Sequence, residues 1–169
     1  MLQAKKVATA TIFGVVIFVT KTVVPTPMNK MFIVVQALLL GLGSLLLNKK
    51  GATYVAVVGG VLTALSNIAL APFTFSFALL YGLLVDGLFF IFTVNAVNGK
   101  VKTTRSITAM TLSTVLVGLP SYYTSVWLGL IPRNLPLEII ILSVGIVSGV
   151  IAGYFVSVIW NKQLANYLK

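Results

Sequence analysis

The chain has 169 residues, of which 59% are hydrophobic and only 8% charged, with a formal net charge of +10; soluble domains carry about 25% charged residues, so this chain cannot cover itself with a water-facing surface. It contains no Cys and no His, which excludes disulfides, thiolate and imidazole metal sites, imidazole-bound haem and Ser-His-Asp chemistry. Asp86 and Glu138 are its only carboxylates, and we read no catalytic group, metal site or cofactor from it.

The apolar runs predict an all-α membrane protein: one transmembrane domain over 1–169, a bundle of six transmembrane helices with both termini cytoplasmic. A spanning helix needs ~20 mostly apolar residues. The first predicted helix covers 7–24 and is stopped by Pro25 and Pro27. Lys5 and Lys6 before it resemble the start of a signal peptide, but no small-residue cleavage site follows, so it is read as retained. The second covers 31–47 and ends at Asn48-Lys49-Lys50. The third covers 51–71, and Pro72 turns the chain tightly into the fourth, 73–94. A polar loop with Asn98-Gly99 as its turn leads to the fifth, 107–130, interrupted by Pro120. Pro132 and Pro136 bracket the last loop, and the sixth covers 137–160.

With a cytoplasmic N-terminus, that side would hold Lys5, Lys6, Lys49, Lys50, Lys100, Lys102, Arg105, Lys162 and Lys169, and the other side Lys21, Lys30 and Arg133. This is a strong positive-inside bias. The basic residues are dispersed among apolar spans, which argues for orientation and lipid contact rather than nucleic-acid binding.

That orientation puts Gln36, Asn67, Phe75, Tyr122, Tyr123, Trp127 and Glu138 in the outer half of the membrane. A carboxylate and amides beside aromatics suit a cationic or amino-heteroaromatic ligand in a mostly apolar pocket. Pro120 frees a backbone carbonyl, as broken helices at binding sites do. The plainer readings are an interfacial aromatic belt, interhelical amide bonds and a carboxylate at a helix N-terminus. Asp86, read near mid-depth on the fourth helix, is either a functional intramembrane carboxylate or a structural bond to Asn67 or a hydroxyl. Gly145, Gly149 and Gly153 form a doubled GxxxG that signals close helix contact. Ala4 and Ala8 give the first helix a flat patch of small side chains.

Ala4-Lys5-Lys6-Val7-Ala8 matches the Ala-x-x-x-Ala motif, and Gly51-Ala52-Thr53-Tyr54-Val55-Ala56-Val57-Val58-Gly59-Gly60 the small-residue third helix, of a known family. The chain resembles the substrate-binding (S) components of energy-coupling factor transporters. The resemblance implies six helices, an outward-facing pocket for a vitamin or its precursor, capping of that pocket by the first loop, Lys21 to Lys30, and docking of Ala4 and Ala8 on a transmembrane coupling subunit. No GxxxxGK[ST] is present, so partner ATPase subunits would supply the energy. The expected function is capture of a small organic solute such as a thiamine-type pyrimidine, without enzymatic activity. The alternatives are a self-sufficient proton-coupled transporter or channel using Asp86 or Glu138, and a structural membrane protein with no ligand.

Overall fold

The computed structural model describes residues 2–22, 33–47, 50–66, 68–94 and 100–165. Among these residues the chain forms six long helices and no β-strand: α1 (Leu2–Thr22), α2 (Ile33–Leu47), α3 (Gly51–Ser66), α4 (Ala71–Ile91), α5 (Thr103–Trp127) and α6 (Leu135–Ile159). A 3₁₀ turn, Ile68–Leu70, joins α3 to α4, and a π-helical turn, Trp160–Leu164, continues α6. Cross-helix contacts make α2 to α6 run alternately up and down. The two main hairpins are α3–α4 and α5–α6, α1 lies against α3 and α2, and α2 reaches α3 on one side and α6 on the other.

The predicted six helices are all present, with shifted ends. The hairpin between the third and fourth forms as expected, but α3 stops at Ser66 and Pro72 falls inside the first turn of α4. An N–H would have no partner in that turn anyway, so proline is tolerated there. Pro120 does not interrupt α5, which runs through it from Thr103 to Trp127. The α4 end is a Schellman-type cap in which Val94 N–H donates to Phe89 O and Thr93 N–H to Phe90 O. Thr93 takes the left-handed conformation (φ 48°) usually left to glycine.

Small residues set the packing. On α3, Gly51 faces α2, Gly59 faces α1 and Gly60 faces α4, so three helices close on one through positions without side chains. Gly149 and Gly153 of α6 lie against the backbone of α5 at Thr111 and Ile107, whereas Gly145 is in ordinary contact. The doubled GxxxG is therefore an internal packing seam. Hydroxyls reinforce it: Ser106 donates to Gly153 O (3.0 Å), Thr114 to Gly145 O (2.8 Å), and Thr103 and Ser157 share a 2.6 Å hydrogen bond.

The segments Ile68–Ile91 and Leu135–Leu164 are long and apolar enough to cross a membrane. Their outer faces bear this out in kind: Ile139, Leu142, Ile146 and Val150 of α6 are exposed, while the stripe through Ser148, Ala152 and Val156 is buried. Large apolar side chains exposed along a whole helix mark a surface that meets lipid or protein rather than water, and the two segments point to membrane association. At 1.5 Å per residue, the 15 residues of α2 and 16 of α3 extend only about 23 and 24 Å, short of the ~30 Å hydrocarbon core.

Because Gly149 abuts the α5 backbone, Gly149→Leu should force the α5–α6 seam apart and destabilise the protein by about 1–3 kcal/mol. Thermal unfolding in detergent reads this as a lowered Tm, whereas the same change at exposed Val147 should leave the midpoint in place.

Candidate functional site

A buried polar site centres on Asp86. The residue before α3 is Lys50, whose carbonyl accepts the first helical bond from Tyr54 N–H (3.1 Å). A lysine side chain cannot accept hydrogen bonds, so it cannot cap the N–H groups that follow. Asp86 does this from another helix: its carboxylate accepts Ala52 N–H (3.1 Å), Thr53 N–H (2.8 Å) and the Thr53 hydroxyl (2.6 Å). The negative charge also meets the positive end of the α3 dipole. Gly82, one turn earlier on α4, permits the approach, because a Cβ there would strike Ala56, Ala52 O and Thr53. Asp86 is 8% exposed. It stands level with the first turn of α3 and five residues before the end of α4, not at mid-depth, and its partners are a helix end and the Thr53 hydroxyl.

The same end of the bundle carries a second polar joint. Asn161, in the π-helical turn, accepts Val101 N–H (2.7 Å) and donates to Val101 O (3.0 Å). It thereby ties the segment before α5 to the end of α6. The Arg105 guanidinium donates to the Thr93 hydroxyl, joining the start of α5 to the end of α4.

At the opposite end, the residues expected to line one pocket are dispersed. Gln36 is buried in the first turn of α2. Tyr123 is 45% and Trp127 82% exposed, so both face outward, as an interfacial aromatic belt would. Tyr122, their neighbour, is buried and clamps the α5–α6 loop: its hydroxyl accepts Asn134 N–H (3.2 Å) and lies 3.4 Å from Asn134 O as donor. Glu138 occupies the first turn of α6 with Arg133 Nε 3.7 Å away. Asn67 lies outside the described residues, as do residues 23–30 of the loop expected to act as a cap.

A shallow apolar hollow of about 470 Å³ opens at this end between α3 and α4, lined by Val61, Ala64, Leu65, Ile68, Ala71 and Phe75. Of the expected ligand residues it holds Phe75 alone. On α1, Ala4, Lys5, Lys6, Val7 and Ala8 are all exposed, so the small-residue patch is uncovered. Among the described residues no group of three or more acidic side chains could hold a metal ion.

Thr53 and Asn161 are polar anchors that the sequence does not single out, and Tyr122, expected only among the outer aromatics, is a clamp of the α5–α6 loop. Thr53 and Tyr122 stood inside apolar runs, and only the proximity of distant helices reveals their partners. Comparison with known protein families, curated proteins and solved structures gives no match.

Asp86→Asn keeps the shape but replaces one acceptor with a donor facing N–H groups. Loss of the charge-assisted bonds should cost about 1.5–3 kcal/mol, with Thr53→Val costing about 1 kcal/mol. Unfolding midpoints of both variants and the double variant should show strong non-additivity; additive losses would mean the two side chains do not act as a pair.

Proposed function

We propose that this chain is a multi-pass membrane protein whose six helices all span the bilayer, with both termini cytoplasmic, and that it serves as a membrane-embedded solute-binding subunit for uptake. Lipid accounts for the exposed apolar faces: Ile12 on α1, Leu83 and Phe90 on α4, Leu116 on α5 and Ile140 on α6 all point away from the core. The short α2 and α3 fit this reading through their central, well-buried positions, which shield them from most of the lipid. Lys50, Lys100, Lys102, Arg105 and Lys162 gather at the end where α3 and α5 begin and α4 and α6 finish, and Arg133 at the other, in keeping with the positive-inside rule.

The observation that carries the subunit reading is the uncovered first turn of α1. Among the described residues Ala4 and Ala8 are left exposed, so a second helix can approach them closely. The partners are then a transmembrane coupling subunit and ATPase subunits, as in energy-coupling factor transporters. The solute is a small organic molecule of the vitamin or vitamin-precursor class, with a thiamine-type pyrimidine as the first to try. The shallow hollow beside Phe75, about 470 Å³, is within the ~300–1,000 Å³ of small-molecule sites and supports recognition at the end opposite Asp86. The competing proton-coupled carrier would use Asp86 or Glu138. Asp86 is already engaged by three donors and Glu138 stands beside Arg133, which weighs toward a partner-driven cycle.

The native chain lacks cysteine, so single cysteines report topology directly. Cysteine at position 50 or 102 should resist an impermeant reagent applied outside intact cells, and cysteine at 133 should react; labelling of 50 or 102 would overturn the orientation. Ala8→Trp should abolish energised uptake while solute binding to the purified subunit stays within about twofold. Equal loss of both would assign Ala8 to internal packing.

A further inference from the structure

Two cross-helix bonds help set four cations at one end of the bundle. Asn161 holds Val101 by both its N–H and its carbonyl, so Lys100 and Lys102, on either side of Val101, share one end of the bundle with Lys162, which follows Asn161. Arg105 stands in the first turn of α5 and is fixed by the Thr93 hydroxyl. All four are exposed, while Val101 between them is buried. This chain cannot neutralise the cluster from its own side chains. Its two carboxylates are Asp86, held at the start of α3, and Glu138, beside Arg133 at the other end. The countercharge must come from outside.

The surroundings select the source. The exposed face of α5 runs from Arg105 and Thr108 to Leu112 and Leu116, changing from cationic to hydroxyl to aliphatic at one-turn spacing. On the flanking helices, Phe90 and Ile91 of α4 and Tyr154 and Phe155 of α6 are exposed as well. Tyr154 stands eight residues before Lys162, about 12 Å along the helix. A charged rim that grades into an apolar track over that distance matches a headgroup phosphate joined to acyl chains. An acidic protein surface would need no such track.

Resting on the membrane reading given above, we propose that Lys100, Lys102, Arg105 and Lys162 bind the headgroup of an anionic phospholipid in the cytoplasmic leaflet, with its acyl chains along Leu112 and Leu116. Near an anionic surface each basic residue contributes about 1 kcal/mol, or roughly fivefold in affinity, and salt screens the attraction.

The test uses the full chain in nanodiscs of phosphatidylcholine, with or without phosphatidylglycerol. Phosphatidylglycerol should raise the unfolding midpoint, and high salt should reduce the gain. K100Q/K102Q/R105Q/K162Q should abolish the gain. Asn161→Ala, which keeps every charge but releases Val101, should weaken it, while K5Q/K6Q/K50Q should retain it. Native mass spectrometry should find phosphatidylglycerol kept by the wild-type chain and lost by the quadruple variant. Equal loss in K5Q/K6Q/K50Q would reduce the site to diffuse surface charge and overturn the proposal. An equal gain from soluble glycerol phosphate would overturn the lipid source, and a gain from an acidic peptide but none from phosphatidylglycerol would replace lipid with protein. Failure to enter nanodiscs of either composition would instead sink the membrane reading itself.

Discussion

Asp86 supplies from α4 what the start of α3 lacks. A helix that begins after a lysine has no local acceptor for its first N–H groups, and in an apolar setting each bare group costs several kcal/mol. The carboxylate answers two of them and the Thr53 hydroxyl together. In return, its own charge is held by three donors and a helix dipole. This fixes the height of α4 against α3, and Gly82 fixes their separation. Once α4 is set, its capped end presents Thr93 to Arg105, which positions the start of α5. The α5–α6 seam then follows from glycines and hydroxyls along its length.

The bundle is unequally bonded at its two ends. Around Asp86 and Asn161, carboxylate, amide and guanidinium groups tie α3, α4, α5 and α6 to their neighbours. At the other end, Tyr122 and Asn134 form the corresponding bond of the α5–α6 hairpin, and the α3–α4 connection borders an apolar hollow. Polar bonds in a low-dielectric setting hold geometry tightly, whereas apolar contacts allow sliding.

Hydropathy alone gave six helices because each apolar run was separated by charges or proline. It extends α3 too far, because Ile68 to Ala71 is apolar enough to continue a helix but forms a 3₁₀ turn and the start of α4. Pro120 predicts a break, yet α5 continues past it; the proline removes a single helical bond, the one to Leu116 O. The role of Gly149 and Gly153 was legible because spacing on a single helix encodes it. The proposed pocket was not, because depth along a helix can be counted from sequence but rotation about its axis cannot. Trp127 and Gln36 share an end of the bundle, and their helices turn one outward and one inward. Asp86 was singled out as a costly charge, while its partner Thr53 looked like one more hydroxyl in an apolar run.

Thr53 and Asp86 are separated by 33 residues of chain, which has a consequence for biosynthesis. A ribosome delivers α3 well before the carboxylate that completes it. On the membrane reading, α3 arriving alone would carry bare N–H groups at its first turn and could not settle at its final depth. The smallest piece that carries α3 out of water without that cost is the α3–α4 hairpin, so the pairing of these two helices on insertion is written into the position of one acidic residue.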